Sequence, residues 1–223
     1  MKIKQIIVII AWVLFSTNTF AQGKYCKSFS DYKSNRWIVL DSLTMQVRNV
    51  ENKTWSNGGG FSAVVPNEKM NKVLKERVRF VIKDSALYVN CDGLIYGRSE
   101  LSDGYAPAFQ FGKDKICFLY ADKTGNTKRT VSYAATNFFL FGLIGATAGA
   151  VTGNAGQNQN QLCYYIDSSD NQIKKITHEY MESLLADHPD LLKKYNEKKV
   201  EEKESGYIIL YYLQKLNLLN NKI

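Results

Sequence analysis

The chain has 223 residues, a formal charge of +8, 45% apolar residues and only three prolines. That excludes wholesale disorder and allows one sizeable domain. Its 14 tyrosines and 11 phenylalanines favour a sheet-containing core, because aromatic rings fit a half-buried pleated surface.

At the start, Lys2 and Lys4 precede an unbroken apolar run from Ile6 to Phe15, and Thr19 and Ala21 stand at the −3 and −1 positions of a small-residue site. This order reads as a secretory signal peptide over residues 1–21. The run is shorter than the about 20 residues that a transmembrane helix needs. Cys26 follows Tyr25 and lies past the cut, which is not a lipoprotein arrangement. The expectation is therefore an exported mature chain beginning near Gln22, in the periplasm or cell envelope. Export removes most of the argument for nucleic acid as the partner of the basic charge and leaves an anionic membrane surface or an acidic glycan, or lysines that only keep the surface soluble.

From Arg36 to Asp122 the pattern is one of short strands and turns. Trp37–Leu40 is a short apolar run, and Leu43–Val47 alternates. Asn57-Gly58-Gly59-Gly60 is a turn signal, and Asn67 can cap a short helix to Leu74. Val78–Lys83 and Ala86–Cys91 flank Asp84-Ser85 and read as a β-hairpin with one wet face. Lys115–Ala121 is a clear strand, and Thr130–Ala134 is expected to pair back across the turn that follows it.

The stretch between Arg129 and Asp167 contains no charged residue. Within it, Phe138, Phe139 and Phe141 lead into a small-residue run in which Gly145, Gly149 and Gly153 recur every fourth position. On a helix the three glycines share a face that another backbone can approach closely. The run resembles the glycine-zipper segments of bacterial envelope proteins. Three readings are open. Val131–Val151 is just long enough to span a membrane. However, Gly, Thr, Asn and Ala dilute its hydrophobicity, and Lys123, Lys128 and Arg129 would stay on the exported side, against the positive-inside tendency. A hairpin could instead dip into lipid through the phenylalanines while the glycines pack on a second copy. The third reading is a glycine-rich connection between two strands. Asn154–Gln161 is a polar loop in each case, and Leu162–Ile166 returns as a strand.

Towards the end, Thr177 can cap a helix to about Ala186, with Glu179 near the positive end of its dipole. Asp187 can cap the next helix, in whose first turn Pro189 is tolerated. Lys198–Glu204 reads as a solvated face, and Ile209, Leu213, Leu216 and Leu219 or Asn220 form a stripe at helical spacing. The expected fold class is α+β: an antiparallel strand-rich body over 22–175 with a glycine-rich apolar insertion at 137–161, then a C-terminal helical region over 176–223.

Chemistry-bearing constellations are missing. His178-Glu179 begins like a zincin helix, but position 182 is Glu rather than the second His that metal ligation requires. A Cys–His nucleophile pair is formally open, for example Cys117 with His178 or His188, but strand cysteines are usually packing and nothing marks them as thiolates. Asp84/Asp92 and Asp103/Asp114 stand where turn formers belong. Cys26, Cys91, Cys117 and Cys163 lack zinc-ribbon spacing; they are candidate disulfide cysteines with three open pairings, or buried thiols. Neither cofactor nor metal is expected, and the chain reads as a non-enzyme. Leu87-Tyr88-Val89-Asn90-Cys91, Asp103-Gly104-Tyr105-Ala106, the glycine-rich interruption, Asp187-His188-Pro189-Asp190-Leu191-Leu192 and Tyr212–Asn217 resemble an uncharacterised family of exported Bacteroidota proteins. That resemblance implies an envelope or secreted location and no activity. The leading expectation is an envelope protein that acts by self-association, as a homo-oligomer, or by membrane-surface contact. The alternative is a periplasmic module binding an acidic glycan or lipid through Lys69, Lys72, Lys75, Arg77 and Arg79.

Overall fold

The computed structural model describes residues 22–48, 59–121, 161–167 and 172–220. Residues 1–21 and most of the uncharged stretch, including 137–160, lie outside them.

The body is a ten-stranded antiparallel sheet. Its strands are β1 (Gly23–Cys26), β2 (Ile38–Leu40), β3 (Thr44–Val47), β4 (Phe61–Val64), β5 (Phe80–Lys83), β6 (Ala86–Asn90), β9 (Tyr105–Phe111), β10 (Lys115–Ala121), β11 (Gln161–Asp167) and β12 (Ile173–Lys175), while β7 (Ile95–Tyr96) and β8 (Ser99–Glu100) form a separate small hairpin. The main path runs β12-β11-β10-β9-β6-β5-β1-β2, with β3 paired to β4 and β4 touching β9 at Phe61 opposite Tyr105. Helices α1 (Phe29–Lys33) and α2 (Glu68–Arg77) interrupt the strands, and α3 (His178–Leu185), α4 (Pro189–Asn196), α5 (Val200–Lys203) and α6 (Gly206–Asn220) follow them.

Local chemistry explains several of these elements. The β5–β6 hairpin closes with Lys83 opposite Ala86, and both turn residues, Asp84 and Ser85, have positive φ. That is the twist-compatible two-residue turn, in which Asp is favoured. Thr177 and Asn67 accept the N-terminal amides of α3 and α2 with their side chains, as the sequence predicts. In front of α4 the cap position is His188 rather than Asp187, and its side chain makes no cap bond. α2 also continues past Leu74 to Arg77.

Side chains alternate across the sheet. One face gathers Cys26, Phe80, Val89, Cys91, Ala106, Ala108, Ile116, Phe118, Tyr164 and Ile166, covered by Phe29, Tyr32 and Trp37 from the α1 region and by Leu94 and Leu101. The opposite face carries two cores. Under α3–α6 lie Phe111, Cys117, Leu119, Cys163 and Tyr165. Under α2 and the β3–β4 hairpin lie Tyr25, Val81, Tyr88 and Tyr105. The face of β5 expected to be wet is therefore dry: Val81 and Lys83 are both buried.

β10 is paired along its whole length with β11, from Lys115 opposite Asp167 to Ala121 opposite Gln161; the pairing expected of Thr130–Ala134 lies outside the described residues. In α6, Ile208, Ile209, Leu210, Tyr212, Leu213 and Leu216 are all buried, while Leu219 is 40% exposed. A helix buried on more than one stripe is a core helix, wedged here between sheet and helices. Lys203 turns inward from the supposedly solvated α5: its ammonium meets Asn196 at 2.8 Å and Glu182 at 3.5 Å, and it lies 5.5 Å from the centre of the Tyr195 ring.

Candidate functional site

Phe138, Phe139, Phe141, Gly145, Gly149 and Gly153 lie outside the described residues. What the structure does give is how the segment holding them is attached. Ala121 and Gln161 are direct partners across β10 and β11, so the chain from 122 to 160 leaves and re-enters the sheet side by side. β10 starts at Lys115, opposite Phe111, and runs towards the end of the sheet where β9 begins at Tyr105. The loop end of the β3–β4 hairpin, where Val47 pairs with Phe61, is at the same end, since Phe61 faces Tyr105.

That end is built around buried polar groups. Arg48, its side chain only 6% exposed, donates to the Asp103 carboxylate at 2.9 Å, to the Asp103 carbonyl and to the Gly59 carbonyl. Lys75 reaches the other Asp103 oxygen at 3.3 Å. Partial burial pulls the Asp103 carboxyl upward, but the hydrogen bonds and charges of Arg48 and Lys75 outweigh it and hold the group below 3.8. Gly59 and Gly104 are required here: a Cβ on Gly59 would collide with the Gly104–Tyr105 backbone, and one on Gly104, at φ +101°, with the Arg48 guanidinium. Beside this cluster the Asn90 amide donates to the carbonyls of Leu74, Lys75 and Val78, and the Tyr105 hydroxyl donates to Leu74 at 2.6 Å. These bonds satisfy the end of α2, whose last carbonyls have no helical partner.

The basic set on and after α2 is divided by its contacts. Arg79 donates to the Asn90 and Asp92 carbonyls at 2.6 and 2.7 Å, and Lys75 is engaged with Asp103. Lys69, Lys72 and Arg77 remain exposed. A different basic and aromatic group assembles on the α3 side of β10–β12. Tyr165 stacks on Tyr180 with ring centres 5.6 Å apart and planes 18° apart, and the Lys115 and Lys174 ammonium groups each lie 5.9 Å from the Tyr165 ring. Cations near aromatic faces are attracted by the ring quadrupole. Sequence reasoning missed this group because its members come from four elements; the one local signal was the tyrosine pair in the strand at 162–166.

All four cysteines are buried free thiols. The sheet sorts them, with Cys26 and Cys91 on one face and Cys117 and Cys163 on the other. Burial is the first cause of each thiol's upward shift, to about 12 for Cys26 and Cys91, and it also raises Cys117 and Cys163. Raised thiols are the opposite of activated nucleophiles. His178 pairs with its neighbour Glu179 at 3.1 Å, and His188 stands at the start of α4. Among the carboxylates, Asp84 meets Lys83, Asp114 meets Lys33, and Asp103 is held as described. Among the described residues no cluster of three His, Cys, Asp or Glu could hold a metal ion, and no helix is long and apolar enough to cross a membrane.

Residues 24–220 match the family of unknown function DUF6563. The chain belongs to that family. No curated protein and no solved structure matches it. Since the DUF6563 description carries no activity, the roles of these residues rest on their own geometry.

Proposed function

We propose that this DUF6563 protein is a non-catalytic, exported component of the cell envelope that acts through its apolar segment at 137–161. Phe138, Phe139 and Phe141 meet a membrane surface, or Gly145, Gly149 and Gly153 pack against a second copy. The resemblance to exported Bacteroidota proteins and the signal-like residues 1–21 support the location. The observation that carries the reading is the pairing of Ala121 with Gln161. A single crossing by Val131–Val151 would put two hydrogen-bonded strands on opposite sides of a bilayer, and the nine polar and small residues between Val151 and Gln161 are too few and too polar to cross back. An excursion that departs and returns together instead presents its apolar residues to a surface or to another molecule.

The test is fractionation of cells expressing the full chain, with salt, carbonate and detergent washes of the membrane pellet. Release by detergent alone is expected, together with a mature N-terminus at Gln22. The triple variant Gly145→Leu, Gly149→Leu, Gly153→Leu should change membrane recovery or assembly. Identical behaviour of that variant, or recovery of the wild type in the soluble fraction, would sink the reading.

A second reading is favoured by the Tyr165–Tyr180 stack flanked by Lys115 and Lys174. In it the protein is a soluble module that holds an acidic glycan or lipid headgroup, since aromatic faces and ammonium groups together suit anionic sugars. Thermal-shift screening against envelope glycans and lipids checks it. A stabilisation lost in Lys115→Ala/Lys174→Ala supports it, and no stabilisation by any compound removes it.

A further inference from the structure

The two edges of the sheet differ in how they are finished. At β12, Lys174 pairs with Asp167 and Lys175 with Glu204, Ile173 is buried, and the preceding Gln172 bridges to Ile95. Charged, tied-down edges of this kind resist pairing with other chains. At the other edge β2 is hydrogen-bonded to β1 and has no second strand beside it among the described residues. Its Ile38 and Val39 are 48% and 52% exposed, and being adjacent they lie on opposite faces. An apolar edge open on both faces is a template for strand addition.

The charges around β2 say what fits it. Arg36 is exposed at its start, and the exposed Lys27 follows β1 at the same end, since Tyr25 is opposite Ile38. Asp41 is exposed at its finish, and Asp84 is at that same end, because Gly23 faces both Leu40 and Lys83. Arg36 is ion-paired with Asp31 and Asp84 with Lys83, so it is Lys27 that leaves the first end net basic and Asp41 that leaves the second net acidic. An antiparallel second copy sets each basic end beside an acidic one, whereas a parallel strand with the same polarity would set like against like.

We propose that β2 is an isologous self-association edge, through which two copies pair antiparallel about Val39 and continue the sheet from one copy into the other. Residues paired across antiparallel strands share a face, so the two-fold axis must pass between a residue and its own copy and not between two different residues. With Val39 in the middle of the strand on that axis, Ile38 faces Leu40 of the second copy and Trp37 faces its Asp41. The strand is only three residues long. The interface therefore falls below the about 1,200 Å² of standard specific complexes, and the dimer is weak and concentration-dependent. This contact is separate from the segment at 137–161 and does not depend on it.

Sedimentation equilibrium of the mature chain over a concentration series tests it, comparing wild type with Val39→Lys, Asp41→Lys and the triple glycine variant. Wild type and the glycine variant should both rise towards twice the monomer mass. Val39→Lys places two ammonium groups on the axis and should stay monomeric. Asp41→Lys should need several-fold higher concentration to pair. Both substituted positions are exposed, so circular dichroism and melting should match wild type. A wild type that remains monomeric to about 1 mM, or a folded Val39→Lys that associates like wild type, would overturn the proposal. Association lost only in the glycine variant would also overturn it and would assign self-contact to the other segment.

Discussion

Two cores share one face of this sheet and are held by different forces. The core under α3–α6 is apolar almost throughout, with Met181, Leu185, Ile209, Leu210 and Leu213 fully buried. The core under α2 and the β3–β4 hairpin is pinned by polar groups: Arg48 on Asp103, Asn90 on three carbonyls and the Tyr105 hydroxyl on Leu74. Apolar packing is non-directional and gives stability in proportion to area, whereas a buried donor must find its acceptor or lose free energy. The first core thus supplies adhesion for the last helix. The second fixes where the β3–β4 hairpin and the start of β9 meet, which is the end of the sheet from which residues 122–160 depart.

The comparison is sharpened first by Leu213→Ala, which should cost about 2–5 kcal/mol, as large-to-small changes in tight cores do. Denaturant unfolding would measure it; a loss under about 1 kcal/mol would mean that α6 is not packed as described. Arg48→Ala comes next. It takes the buried partner from a carboxylate that keeps only Lys75, and because Asp103 is 29% exposed the loss should be about 2–3 kcal/mol, short of the about 3–5 for a fully buried pair. A third test is pH. The folded-state carboxyl of Asp103 is held below its ordinary 3.8, so its contribution is complete above that value and is lost as pH falls through the lowered one. Asp103→Asn should flatten the acid limb of the stability profile, while Leu213→Ala should only lower it; parallel limbs in wild type and Asp103→Asn would contradict the sign. The smallest effect belongs to Ser205, whose buried hydroxyl has no hydrogen-bond partner among the described residues. Ser205→Ala should be neutral or stabilising by under about 1 kcal/mol, read as an unchanged or slightly raised melting temperature.

Elements with a local rule behind them were legible in the sequence: the Asp84-Ser85 hairpin, the Thr177 and Asn67 caps, and the strand at Lys115–Ala121. β9 was not, because Pro107 argues against a central strand. The structure accommodates it at the margin of one ladder: β9 pairs with β10 only as far as Ala108 opposite Phe118, one residue short of the proline. β1 was missed because four residues after a signal-like segment carry too little pattern, and β12 because three residues do. The dry face of β5 was hidden for a different reason. Val81 and Lys83 are covered by chain far away in sequence, which no period within the strand can announce. The cysteines show the same limit, since their sorting to two faces follows from a register carried across β1, β5, β6, β9, β10 and β11.

The direct pairing of Ala121 with Gln161 has an engineering consequence. Strands that end as opposite partners can be joined by two residues, so Asn-Gly in place of 122–160 would close β10 and β11 with a short hairpin turn and leave every described contact intact. The body and the segment it carries are then separable modules: one can be made, crystallised and titrated alone, and the other can be transplanted onto an unrelated hairpin to ask what it seeks.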